Sequence, residues 1–150
     1  MHNIRYIKLC SAIFILTSYY LLTVTAEPTE ETIITGIVSK VRDGDTVEVG
    51  EVPIRLNGVS APELNENLGR NAKLFMTELI LGRKIRCILT GEKSYDRLVG
   101  TCFTDNQDIG TILIEAGLAI DCPKYSGGRY KKFETKRGRE QIKLPRYCYK

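Results

Sequence analysis

The chain has 150 residues, 43% of them hydrophobic and 27% charged. That is the balance and size of one soluble globular domain; a disordered, collagenous or multi-span membrane chain and a two-domain cleft are excluded. The formal net charge is +4 and the only histidine is His2, so beyond the leader described next no imidazole remains, and Ser-His-Asp or Cys-His hydrolysis, histidine-paired ribonuclease chemistry and imidazole-built metal sites are excluded with it.

Arg5 and Lys8 precede an apolar run from Leu9 to Val24, and Val24, Thr25 and Ala26 close it with small residues. This predicts a signal peptide over residues 1–26, cut after Ala26, and hence a secreted or periplasmic protein. An uncleaved anchor is the competing expectation, but about 16 apolar residues is near the short limit for crossing a bilayer. Residues 27–31, acidic with one proline, read as a flexible N-terminal segment, and residues 32–150 as one domain with a basic C-terminal segment.

Alternation predicts a first strand over Thr32–Val41, a second over Thr46–Val49 after the Asp43-Gly44 turn, and a third over Pro53–Val59. After Pro62 the period changes: Ala72, Phe75, Met76, Leu79 and Ile80 share one helical face, and Gly82 can end the helix. Lys84–Leu89 and Arg97–Phe103 form a hairpin pattern with Gly91–Ser94 in its connection, completing five strands. Asp108 can cap a second helix carrying Ile109, Ile112, Leu113 and Ala116, with Gly117 as its stop. A third helix is expected between Tyr130 and Leu144, interrupted at Gly138. Five antiparallel strands with a helix after the third read as a closed or nearly closed OB-type barrel with helices, an α+β fold.

Five cysteines become four once Cys10 leaves with the leader, and an even number in an exported chain suggests two disulfides. Three pairings are possible. Cys87 and Cys102 stand equally far from the hairpin midpoint at Ser94 and Tyr95, so they could face each other across two strands, leaving Cys122 for Cys148.

Charge is unevenly spread. Glu27 to Pro123 holds 10 basic and 16 acidic residues, whereas Lys124 to Lys150 holds 10 basic and 2 acidic, a local net of +8. With Tyr125, Tyr130, Tyr147 and Tyr149 interspersed, this tail could follow a phosphate backbone and offer stacking faces, or could be a solvated surface.

Three segments carry candidate chemistry. Asp43-Gly44-Asp45-Thr46 sets two carboxylates in a tight turn, able to hold a hard cation or to serve only as a turn. Arg55-Leu56-Asn57-Gly58-Val59-Ser60-Ala61-Pro62-Glu63 puts an arginine on a strand and a glutamate beyond a stiffening proline; Tyr95-Asp96-Arg97 offers a second arginine, which could instead form a surface ion pair with Asp96. Together with Gly117-Leu118-Ala119, these segments make residues 32–125 resemble the staphylococcal nuclease, or thermonuclease, family. The resemblance implies an OB barrel that hydrolyses phosphodiesters of DNA and RNA with calcium. It implies Arg55, Glu63 and Arg97 as catalytic residues, Glu63 orienting or deprotonating water and the arginines gripping phosphate, with Asp45 as a metal ligand. Tyr95, Tyr125 and Lys124 are candidate substrate-binding residues.

One departure stands out: where the family usually has a second aspartate ligand, this sequence has Ser60. The site loses a negative charge and should bind calcium more weakly, with Asp43, Thr46 and the Ala61 carbonyl available to help. The expectation is a monomeric, metal-assisted endonuclease acting on nucleic acid, with no obligate protein partner. The alternative is a non-catalytic OB module that binds nucleic acid or another polyanion and has an eroded metal site.

Overall fold

The computed structural model describes residues 31–149; the predicted leader, most of the segment expected at 27–31 and Lys150 lie outside the described residues. The strands are β1 (Ile33–Val41), β2 (Thr46–Val49), β3 (Val52–Leu56), β4 (Val59–Ser60), β5 (Lys84–Ser94), β6 (Arg97–Thr104), β7 (Gln107–Asp108) and β8 (Ile120–Asp121). The helices are α1 (Gly69–Ile80), α2 (Ile109–Glu115), α3 (Pro123–Ser126) and α4 (Lys136–Gln141), with 3-10 turns at Lys131–Phe133 and Arg146–Cys148.

The main sheet runs β3-β2-β1-β5-β6-β7, and β3 also pairs in parallel with β6. That last pairing joins Ile54 to Leu98, Arg55 to Val99 and Leu56 to Gly100, and closes the five long strands into the expected OB barrel. Alternation sends Val47, Ile54, Leu56 and Ile85 inward, each almost fully buried. Helix α1 lays Ala72, Met76 and Ile80 on this core at 0% exposure, the spacing of one helical face. Truncating Met76 to alanine would cost about 2–5 kcal/mol. Asp108 caps α2 as predicted, its Oδ1 accepting the N–H groups of Gly110 and Thr111.

Three boundaries differ from the sequence reading. The third strand does not run unbroken to Val59: the chain turns at Asn57-Gly58, and the two residues beyond form β4, which pairs with β8. The hairpin turns at Tyr95-Asp96 rather than at Gly91–Ser94. Strand β5 continues to Ser94 because the pairing slips between Leu89 and Lys93, an irregularity accommodated at Gly91 with φ +83°. The long third helix is instead a 3-10 turn and α4, and the break falls at Glu134-Thr135, not at Gly138. The Glu134 carboxylate turns inward to accept the Asp121 N–H at 3.1 Å, and Thr135 caps α4 by accepting the Gly138 N–H at 3.0 Å.

Both predicted disulfides form. Cys87 and Cys102 are register partners across β5 and β6, and Cys122 bridges to Cys148. With sequence separations of 15 and 26, the chain-entropy account assigns them about 3 and about 3.5 kcal/mol.

Candidate active site

The barrel register assembles the site. Thr46 on β2 pairs with Arg55 on β3, and Arg55 pairs with Val99 on β6. Arg97 lies two residues before Val99, so side-chain alternation puts both guanidinium groups on the same side of the sheet. The Asp43–Asp45 turn is held against this edge: Asp43 Oδ1 accepts the Asp45 N–H at 3.0 Å, and the Asp45 carbonyl accepts the Leu56 N–H at 2.8 Å. A Cβ at Gly44 would stand 2.6 Å from the Ala61 Cβ and 2.8 Å from that of Ala72. The turn can therefore sit this close to α1 only with glycine there.

Asp45 is buried beneath Arg55. Its Oδ1 accepts from Arg55 Nη1 at 2.5 Å and from the Thr46 hydroxyl at 3.2 Å, and its Oδ2 accepts the Ala61 N–H at 3.1 Å. Burial pushes the Asp45 carboxyl up to about 6, with Asp43 adding to the rise and Arg55, the Ala61 N–H and Thr46 opposing it. Arg97 is held from three directions: Nε donates to the Ser94 carbonyl at 3.1 Å, Nη2 to the Ser94 hydroxyl at 3.0 Å and Nη1 to the Thr46 hydroxyl at 3.2 Å. The alternative expectation of an Arg97–Asp96 surface pair does not hold. Asp96 takes Arg42 at 2.8 Å, and Arg42 also donates to Glu48 at 2.7 Å. These contacts hold both carboxyls below their usual range and leave Arg97 facing the site.

A cavity of about 410 Å³ opens over these groups, lined by Arg55, Glu63, Arg97, Tyr95, Tyr125 and Tyr147 among others. It is of the size that takes a small ligand or one unit of a polymer. Three predicted catalytic residues thus share one cavity, with Asp45 directly behind Arg55. Glu63 sits in a turn stiffened by its own N–H donating to Glu66 Oε2 at 2.9 Å. Tyr95 stands at the rim, 93% exposed, with Arg97 over its ring at 5.6 Å. Lys124 is not brought into this cavity: it is exposed on α3, with Nζ over the Tyr125 ring at 5.7 Å.

The Asp43 carboxylate and the Thr46 hydroxyl beside Asp45 are oxygen ligands, the chemistry of a hard cation such as calcium, whereas Arg55 Nη1 and the Ala61 N–H occupy the Asp45 carboxylate as donors. Ser60 is 1% exposed and uncharged. Among the described residues no three acidic, histidine or cysteine side chains come together as a metal cluster. The residues fit calcium in kind and supply one buried carboxylate, so water and a substrate phosphate would have to provide much of the shell.

Sequence reasoning missed Ser94 and Arg42, and placed Tyr147 only among the tail tyrosines that could offer stacking faces. The first two act through backbone and ion-pair contacts that no motif marks. Tyr147 had a signal, since it precedes a cysteine whose partner is three residues before Tyr125.

The family model for staphylococcal nuclease homologues matches residues 53–141, more than half of the chain, and the chain belongs to that family. It is similar to the succinoglycan biosynthesis protein ExoI of Rhizobium meliloti (strain 1021), at 36% identity over 104 residues, 61% of this chain and 54% of that one. An uncharacterized endonuclease of Escherichia coli O157:H7 is 32% identical over 96 residues, covering 61% and 63% of the two chains. The protein named "Probable endonuclease LCL3" of Pyricularia oryzae (strain 70-15 / ATCC MYA-4617 / FGSC 8958) is 32% identical over 96 residues, covering 57% and 37%. The match spans less than two thirds of the length of each of these relatives.

Proposed function

We propose that this chain is a calcium-assisted nuclease that hydrolyses phosphodiester bonds of DNA or RNA, exported by the leader read at residues 1–26. The observation that carries this reading is the convergence of Arg55, Arg97 and Glu63 on one cavity, with Asp45 buried behind Arg55. Two guanidinium groups, charged at any relevant pH, can bind the non-bridging oxygens of one phosphate. Both are anchored through part of their donor set, so their remaining donors are aimed before substrate arrives and meet charge as it builds on phosphorus. Glu63 orients a water and takes its proton as the oxygen attacks phosphorus. The opposite P–O ester bond breaks, and the departing oxygen takes a proton from water. With no histidine in the domain, a carboxylate is the natural base.

Calcium would be held by Asp45, with Asp43, Thr46 and the Ala61 carbonyl helping directly or through water, and would supply Lewis-acid polarisation and offset charge repulsion. The endonuclease names of the relatives support the same reaction class. To test the reading, DNA and RNA are incubated with the full chain plus calcium, then plus chelator. Cleavage in calcium alone is expected, and intact nucleic acid in both conditions would sink it.

A second reading, a non-catalytic binder of nucleic acid, is favoured by Ser60. Ser60→Asp decides between them: activity that appears only in the variant makes the native chain a binder.

A further inference from the structure

We propose that Tyr147 is a phosphate-contacting residue of this site, delivered by the Cys122–Cys148 bridge to the face of Arg55 that looks into the cavity. The inference rests on the nuclease reading and adds a residue from outside the four motifs.

The Arg55 guanidinium has two ends with different tasks. Nη1 is committed to Asp45, while Nη2 makes only long contacts, 3.5 Å to the Val59 carbonyl and 3.4 Å to the Tyr147 hydroxyl. An anionic oxygen arriving at Arg55 must therefore use Nη2, and it then lies beside the phenol. A phenol can accept from a guanidinium and still donate its own proton, so the two groups can hold neighbouring phosphate oxygens without competing. Where the family usually carries a carboxylate ligand this chain has the neutral Ser60, and the hydroxyl beside Arg55 Nη2 is the Tyr147 phenol. Neutral donors attract a phosphate where a carboxylate would repel it, so some of the hold on substrate passes from the cation to the protein.

Tyr147 is not placed there for burial, being 49% exposed. Its position is nevertheless well determined. It sits in the 3-10 turn Arg146–Cys148, one residue from a cysteine at 0% exposure, and the bridge leads to Cys122, which also lines the cavity. A side chain fixed within one residue of a covalent link loses little freedom on binding, and preorganisation of this kind strengthens binding.

The test uses the full chain, a short labelled single-stranded DNA in chelator for affinity, and the same DNA in calcium for turnover. Tyr147→Phe should raise Kd and KM about three- to tenfold, the range for one lost hydrogen bond, with kcat little changed. Its salt slope should match the native chain because no charge is removed, whereas Arg55→Gln should flatten that slope. The Cys122→Ser, Cys148→Ser double variant should show the same rise, with Tyr147→Phe adding nothing to it. Native Kd and KM in Tyr147→Phe overturn the proposal. Tighter binding in that variant overturns it as well, since the phenol would then be a plug that phosphate must displace. A native chain that binds DNA but never cuts it defeats the nuclease reading while leaving Tyr147 to be judged on affinity, and a native chain that binds no DNA defeats both.

Discussion

The barrel edge and the C-terminal segment reach the same cavity by different means. Arg55 and Arg97 ride on strands whose positions are locked by a closed ladder of backbone hydrogen bonds, and Asp45 sits in the turn that leads directly into β2, so each charged side chain inherits its place from register. Residues 123–149 contain only short helices and 3-10 turns. They are tied down by side chains: the Cys122–Cys148 bridge, Glu134 on the Asp121 N–H, and Arg129 donating to the Asn57 carbonyl and the Thr101 hydroxyl at 2.9 Å each. Tyr130 is buried there and donates to Asp108 at 2.9 Å, and burial with Asp108 nearby raises the phenol well above its ordinary range. A closed ladder can place charges; a segment without one needs discrete staples to place even one phenol.

The comparison is broken most severely on the barrel side. Glu63→Gln should lower kcat by about 10²–10⁴-fold, the usual contribution of a positioned base, with an unchanged melting curve because Glu63 is an exposed residue outside the core. Arg55→Gln should abolish phosphate binding at Nη2 and also destabilise the fold, because it strands a buried Asp45. Urea denaturation should register a loss of about 3–5 kcal/mol. Opening either disulfide by paired serine substitution should cost about 3–3.5 kcal/mol. Only the Cys122–Cys148 pair should also weaken DNA binding, and equal binding losses from both would erase the distinction between staple and ladder. Ser60→Asp should lower the calcium concentration for half-maximal turnover at least tenfold, about 1.4 kcal/mol, by returning one carboxylate to the site. The smallest effect is expected at Lys124, which lies outside the cavity. Lys124→Gln should change the salt slope for single-stranded DNA by less than about 0.7, the value for one full phosphate contact.

Much of the fold was legible because its signals are local. Alternation marks the strands, a single apolar face marks α1, and Asp108 caps α2 where a cap was expected. Cys87 and Cys102 still face each other after the turn moves to Tyr95-Asp96, because β5 takes up two extra residues between Leu89 and Lys93 and so offsets the shift. A long third helix does not form because the Glu134 carboxylate turns inward to the Asp121 backbone N–H. The candidate site is legible as a set of residue types, Asp45, Arg55, Glu63 and Arg97, while Lys124 does not line the cavity that Arg55, Glu63 and Arg97 share.

By itself the sequence determined which groups are available: no imidazole in the domain, oxygen donors in one turn, two strand arginines, one glutamate after a proline, and four cysteines. Only the tertiary structure decided who meets whom. Asp96 pairs with Arg42, 54 positions away, rather than with its neighbour Arg97, and Arg55 meets Tyr147 across 92 positions. The physical reason is that periodicity and capping act over a few residues, whereas the parallel β3–β6 closure and the Cys122–Cys148 bridge set distances between segments that no local pattern encodes.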